Sequence, residues 1–452
     1  MQDISLDASI DTTDKTTEQH PQTLSEPLAN GDRHIWGIYI ALCLISVIEL
    51  YSASSREVAS SAMGVFGPII RHVAMLIAGL FIVLGLQRSH YRYFYSSSVL
   101  FVMISIALMV WCLIGGEIVN GARRNVNLLI LKLQPSEFIK MSAVLLIAII
   151  AQRTQMKGGG VSNKGVAWMA GCVMLFGALL IKQGLTNTLL LMGISGAMFL
   201  IGGVQWRKLT IVAFVYLACF GVFFLISTLA KGGDDDKETA AIEQTLDGSD
   251  IDRANATAGE RHHTWLARVE RYRGDGRPKY EHEITANNRQ EMYAFMAQAN
   301  GGIFGVGPGN SREAARLPLA FSDYIYSIIV EDTGLVGGLV VLILYLWLLA
   351  RAATIASRCT RAFPALLVLG MAVMIVMQAL IHIAIVTGAA PVSGQPLPLI
   401  SKGGTSILIT SIAFGVMLSV SRHTARTGKR QEIKRELESL PEDLRTANPT
   451  QL

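Results

Sequence analysis

What most limits the folds open to this chain is the recurrence of apolar runs about as long as a bilayer is thick. A transmembrane α-helix needs roughly 20 mostly apolar residues. The 452-residue sequence offers about ten such runs, near 35–53, 68–87, 97–115, 136–151, 165–181, 185–203, 209–229, 323–349, 363–387 and 403–421. Only 16% of its residues are charged, against about 25% in an ordinary soluble domain, so a water-soluble globule is excluded. The expectation is an all-α polytopic membrane protein of about ten transmembrane helices, with a large extracytoplasmic loop between helices 7 and 8. Residues 1–34 then read as a disordered cytoplasmic tail, 35–421 as the membrane domain with 230–322 as its outer loop, and 422–452 as a basic cytoplasmic tail. The five cysteines have neither metal-ligand nor redox spacing and read as packing residues.

The cations sort the loops. Arg88 and Arg92, Arg153 with Lys157 and Lys164, Arg207 and Lys208, Arg351 with Arg358 and Arg361, and the tail from Arg422 fall on alternate connections. By the positive-inside rule that side is cytoplasmic, which puts both termini inside. A modest net charge of +5 arranged this way is membrane topology, and no nucleic-acid partner is expected. The opposite set is Arg56, Arg123, Arg124, Lys132, Lys182 and Lys402. Topology gives no reason for these, so each invites a functional question.

Four outward segments carry the unusual chemistry. After the third run comes Asn120-Gly121-Ala122-Arg123-Arg124-Asn125, then Gln134-Pro135-Ser136-Glu137 with Lys140 one helical turn beyond Glu137. Paired arginines beside an acid and a base at membrane depth point to an anion site backed by an ion pair. The plainer alternative is snorkelling cations plus a helix start, with Ser136 as cap and Glu137 favoured by the dipole. Second is the glycine-rich stretch Gly301 to Gly309, which follows an apolar segment, Met292 to Ala299, and reads as a re-entrant helix ending in a tight turn. Third, Leu317-Pro318 leads to Asp323-Tyr324-Ile325-Tyr326, with Glu331 and Asp332 two turns on. A carboxylate at the mouth of a span can act as a general base, or can simply favour a helix start. Fourth, Pro391 to Ser406 holds three prolines and three glycines around Ser401 and Lys402, which forces an ordered non-helical loop.

These segments, in this order among ten spans, resemble the SEDS family of cell-wall polymerases (shape, elongation, division, sporulation) over roughly residues 35 to 421, and most closely its division branch. The motifs are Tyr51-Ser52-Ala53-Ser54, Gly121 to Arg124, Gln134 to Glu137, Gly301 to Gly307, Leu317-Pro318 with Asp323 to Tyr326, and Leu397-Pro398 to Ser406. The resemblance implies a peptidoglycan glycosyltransferase that polymerises lipid II, the disaccharide-pentapeptide on undecaprenyl pyrophosphate, at the outer face of the cytoplasmic membrane during cell division. It implies Asp323 as the essential acid. Arg123, Arg124 and Lys402, with Gln290 and Ser401, become candidate substrate contacts, and Glu137, Lys140 and Glu331 a structural intramembrane ion-pair set. A divalent cation, Mg or Mn, is expected to share the pyrophosphate charge, its ligands unassigned. The implied partners are a class B penicillin-binding transpeptidase, other division proteins and membrane lipid, at the septum.

The chain departs from that pattern in places. Asn125 stands where the family has Trp, Lys182 to Asn187 lack the acid common between the fifth and sixth spans, and His382 replaces a common Asn. The segment from Lys231 to about Thr285 is a long insertion. Two other classes of function stay open on the sequence. A lipid-linked precursor flippase is suggested by the intramembrane charges, and a non-catalytic division scaffold by the basic C-terminal tail.

Overall fold

The structure, a computed structural model, describes residues 31–53, 66–119, 122–128, 131–156, 160–229, 272, 283–285, 288–317 and 320–439. The N-terminal tail to residue 30, Arg56, Lys157, nearly all of the 231–285 insertion and the extreme C-terminus lie outside the described residues.

A helix stands at every expected apolar run. In chain order they are α1 (Arg33–Ala53), α2 (Phe66–Arg88), α3 (Tyr91–Gly115), α4 (Pro135–Arg153), α5 (Asn163–Ile181), α6 (Leu185–Ile201) and α7 (Trp206–Leu229). After them come α8 (Arg289–Gly301), α9 (Ile325–Ser357), α10 (Ala362–Val386) and α11 (Gly404–Ser439). Among the described residues eight helices are long and apolar enough to cross a membrane. Helix starts follow the local chemistry: Pro135 opens α4 with Glu137 in its first turn, and Ser162 caps α5 by accepting the Gly165 amide at 3.2 Å. Ser136 is not a cap; its hydroxyl is buried inside the first turn of α4. The basic tail is not wholly a loop either, because α11 runs on past the membrane-length stretch to Ser439.

Helices α4, α10 and α11 are enclosed by the rest. The outer helices turn large apolar side chains outward, such as Phe81 of α2, Trp111 of α3 and Phe214 of α7. Close approach is set by small residues: a Cβ on Gly415 of α11 would sit 2.8 Å from Leu86 of α2.

Two features differ from the ten-helix expectation. Between α3 and α4 the chain forms a small antiparallel sheet, β1 (Glu117–Val119), β2 (Ala122–Leu128) and β3 (Leu131–Leu133), in that order. Strands of three to seven residues with polar faces leave little periodic signal. The eighth run is also not one straight helix, for α9 is broken at Gly334 (φ 73°, ψ −175°). The amides and carbonyls freed by the break bond to the glycine-rich loop after α8. Val306 and Gly307 donate to the carbonyls of Glu331 and Asp332 (both 2.9 Å), while the Leu335 amide donates to Gly302 (3.0 Å). Irregular backbone at that depth is stable only when satisfied by protein in this way. The glycines follow from the contact, since a Cβ on Gly305 or Gly334 would collide with the opposing backbone.

The far end of the bundle is closed by ion pairs and rings. Arg351 of α9 donates twice to Asp32 Oδ2 (2.8 and 2.6 Å), and Oδ1 accepts the His34 amide at 2.9 Å. Burial pushes the Asp32 carboxyl up, but the Arg351 hydrogen bond and charge, with the His34 and Ile35 amides, outweigh it and hold the group below its ordinary value. A depressed folded pKa gives stability that is present above the unfolded value, about 3.9, and lost as pH falls through the folded one. Asp32→Asn should therefore flatten the acid limb of the melting temperature against pH, measured in detergent between about pH 5 and 3; an unchanged limb would remove Asp32 from the account.

Candidate active site

At the opposite end, the start of α9, the sheet and the loop 391–403 converge. Asp323 stands two residues before α9 and is partly exposed, its Oδ1 accepting the Ser322 hydroxyl at 2.7 Å. Facing it is bare backbone: a Cβ at Gly394 would lie 2.9 Å from Asp323 Oδ2 and 3.6 Å from Arg124 Nη1. Those two distances together bound the separation of the two atoms at about 6.5 Å. Carboxylate and guanidinium therefore both lie against the same glycine. A second glycine, Gly184 (φ 153°), lies against the other side of Arg124, whose Nη2 would be 3.7 Å from a Cβ there.

The paired arginines part company. Strand register runs Ile118 to Arg123 but Glu117 to Asn125, so Arg124 is the extra residue of a bulge. A bulge re-aims a side chain, and here it delivers Arg124 to Gly394 and Asp323. The guanidinium of Arg123 instead donates to the carbonyls of Leu113 (3.2 Å) and Ile114, closing the C-terminus of α3. Of the two arginines expected at an anion site, Arg123 has its guanidinium on a helix end and Arg124 has its own beside Gly394.

Other candidates fall as follows. Lys402 donates its amide to Phe321 (2.9 Å) and holds its ammonium 4.6 Å from the centre of the Phe321 ring, two residues from Asp323. Ser401, expected to touch substrate, is 1% exposed. Its hydroxyl donates to the Ser322 carbonyl and accepts the Leu397 amide, both at 2.7 Å, and so fixes the loop beneath Asp323. Gln290 is half-buried in the first turn of α8. Lys140 Nζ lies 2.7 Å from Glu137 Oε1, with both side chains buried. Glu331 does not extend that ion pair. It accepts from the Arg312 amide (3.0 Å), Asn300 (3.4 Å) and Ser311, because the glycine-rich loop, not a cation, folds over it. Sequence reasoning passed over Gly394 as a site residue; its signal was the proline and glycine density of its loop.

An apolar cavity of about 360 Å³ begins at Leu185, next to Gly184, and runs between α6 and α7 past Met192, Phe199, Val212 and Tyr216. Among the described residues no group of three His, Cys, Asp or Glu gathers to hold a metal ion.

The sequence matches the model of the FtsW, RodA and SpoVE cell cycle proteins over residues 32–236 and 262–426. The chain belongs to this family. Among its relatives, a probable peptidoglycan glycosyltransferase FtsW of Dichelobacter nodosus is 31% identical over 320 residues, covering 69% of this chain and 70% of that one. The peptidoglycan glycosyltransferase MrdB of Escherichia coli K12 is 25% identical over 397 residues, covering 87% and 94%. Two solved structures share the fold of this FtsW/RodA/SpoVE member. One is a chain of a peptidoglycan synthase complex that coordinates polymerization and crosslinking (TM-score 0.60, 22% identity, 87% and 98% covered). The other is the rod shape determining protein RodA of Thermus thermophilus (TM-score 0.57, 21% identity, 89% and 99% covered).

In this family member the division of labour between the arginines is open to direct measurement. Arg124→Gln should lower kcat/KM by at least about tenfold, the scale of one lost charge-assisted contact, with the melting temperature preserved. Arg123→Gln should do the reverse. Gly394→Ala, which forces Asp323 to move, should reduce turnover without altering helix content by circular dichroism. Equal kinetic losses from the two arginine variants would contradict the bulge geometry.

Proposed function

We propose that this membrane protein is a peptidoglycan glycosyltransferase that polymerises lipid II, with Asp323 as general base and Arg124 as the anchor of the pyrophosphate. The observation that carries the reading is the approach of both Asp323 and Arg124 to the bare backbone of Gly394. Family membership and the names of the relatives support the reaction class.

Forming a β-1,4 bond from an α-linked sugar pyrophosphate inverts the donor carbon, so acceptor and leaving group must lie on opposite faces of it. A carboxylate and a guanidinium no more than about 6.5 Å apart lie within reach of one reacting centre, the first for the acceptor hydroxyl and the second for the leaving group. Asp323 takes the proton of the acceptor 4-hydroxyl, and that oxygen forms the new bond to donor C1. The bond from C1 to the pyrophosphate oxygen breaks with its electron pair staying on the pyrophosphate. Arg124, a fixed planar donor, stabilises that charge, and Lys402 beside Phe321 adds a second cation at the rim. The apolar cavity between α6 and α7 includes Leu185, the residue after the glycine that lies against Arg124, and its lining suits a prenyl chain.

The divalent cation belongs to this proposal as an ion carried by the substrate. One protein carboxylate does not build a metal cage, but magnesium-like ions are commonly held by a single carboxylate plus substrate phosphates; no step above depends on it. The site end faces outward and both termini face the cytoplasm, on the strength of the cation pattern in the loops. Action at the septum alongside a crosslinking transpeptidase follows the division relatives and the solved synthase complex.

The test is glycan synthesis from lipid II by the full chain in nanodiscs with its transpeptidase partner. Asp323→Asn should lose about 100-fold or more in kcat, the scale of a missing general base, while still binding lipid II. Polymerisation at the parental rate would assign the base elsewhere.

A further inference from the structure

The loop that carries Gly394 and Ser401 lies beneath the site and is buried, yet it belongs to no helix or sheet. Leu397, Leu399 and Ile400 are each 1% exposed or less, and Leu399 has φ +64°. Its conformation is dictated by side chains rising from several helices. Tyr345 of α9 donates to the Pro398 carbonyl at 2.6 Å, and Ser46 of α1 donates to Ile400 at 3.0 Å. From α10, His382 Nδ1 meets the Gln395 carbonyl at 2.6 Å and Gln378 Nε2 donates to Pro396 at 3.3 Å. Ser401 then passes this order upward by holding the Ser322 carbonyl, one residue from Asp323.

Gln378 differs from the other supports in being tied to a charge. Its Oε1 accepts from Lys140 Nζ at 2.9 Å, and Lys140 in turn is paired with Glu137. An ammonium is only a donor, so the amide of Gln378 has one allowed orientation, with oxygen toward Lys140 and nitrogen toward the loop. All three side chains are buried, where such bonds are strong and a missing partner is expensive. The buried ion pair thereby fixes which way Gln378 points, and Gln378 fixes Pro396, two residues from the glycine beneath Asp323 and Arg124.

We propose that Gln378 is a positioning residue of the transferase, linking the Glu137–Lys140 ion pair to the loop that sets Asp323. This rests on the reading of Asp323 as the base. Gln378 meets no substrate. It acts by keeping Gly394 and Ser401 where Asp323 is aimed at the acceptor, while Arg124, held on the sheet, keeps the donor. Loss of the relay therefore lowers turnover more than substrate affinity.

Gln378→Glu keeps length and the acceptor facing Lys140 but places an oxygen against the Pro396 carbonyl. Gln378→Met keeps the volume and removes both bonds. Each is compared with the parent in nanodiscs for lipid II polymerisation, melting temperature, and amide exchange in residues 397–402. The expected result for Gln378→Glu is kcat down at least tenfold, KM for lipid II within twofold, a melting temperature no lower than that of Gln378→Met, and faster exchange confined to that loop. Gln378→Met should show the same kinetic split even if the ammonium of Lys140, left with Glu137 alone, lowers the melting temperature. A well-folded Gln378→Glu with parental kcat overturns the proposal, as do losses in both variants that track the melting temperature or fall on KM alone. Asp323→Asn in the same assay separates the two ideas. If it stays active, the base assignment fails; if it is dead while Gln378→Glu is parental, only the relay fails.

Discussion

The ammonium of Lys140 is fully buried in the most enclosed part of the bundle, and the arrangement above it depends on how that charge is satisfied. An isolated ion in such a medium is prohibitively costly, whereas one with a counter-ion and a further hydrogen-bond partner is tolerable. Glu137 sits one turn away on the same helix and Gln378 approaches from α10, so satisfying the charge requires α4 and α10 to meet at one height and rotation. Hydrophobic contact alone would not fix that. In lipid the apolar surfaces of helices gain little by choosing one another over acyl chains, so register has to come from polar groups and close small-residue packing.

The same economy of polar groups explains the other end of the site. Breaking α9 at Gly334 strands amides and carbonyls at a depth where water is scarce. The glycine-rich loop after α8 takes them up, and the buried Glu331 ties that loop down through Asn300, Ser311 and the Arg312 amide. The first turns of α9, which follow directly from Asp323, are thus clamped by backbone bonds to one loop and by Ser322 and Phe321 to another. The proposed general base would have to be aimed to within a fraction of an ångström, and irregular backbone bonded on both sides is stiffer than a free helix end.

Much of this was legible in the sequence because bilayer thickness imposes a length on every span and because charges are scarce. All ten apolar runs became helices, and Asp323, Arg124, Lys402, Glu137 and Lys140 all stood out as charges without a topological excuse. What could not be read is instructive. Arg123 and Arg124 are chemically identical neighbours, and only a one-residue register shift against β1 separates a helix-end partner from a site residue. Ser401 and Glu331 were read as chemistry or charge pairing, yet their partners in the structure are backbone groups, a hydroxyl and the side-chain amide of Asn300, brought in from loops and the end of α8, which no spacing rule encodes. The sheet and the kink of α9 escaped for the same reason: both are local answers to hydrogen-bond demands that arise only after the helices have packed.

The separation of the two arginines also bears on how the site handles charge. In the proposed reaction the pyrophosphate gains charge as its bond to C1 breaks, and a guanidinium aimed at the oxygen that takes up that charge would bind more strongly as the bond breaks. Of two free guanidiniums, one bearing on phosphate oxygens whose charge does not change would strengthen association but not turnover. Committing Arg123 to the carbonyls of α3 removes one of them and in the same stroke anchors the strand that presents the other. With Arg124 fixed by the sheet and Asp323 by the loop below it, the proposed donor contact and the proposed base belong to separate parts of the fold. Their relative placement is then set by the packing of α4 against α10, where the buried ion pair lies, and a slip in that packing would misalign the reacting atoms before it loosened either substrate.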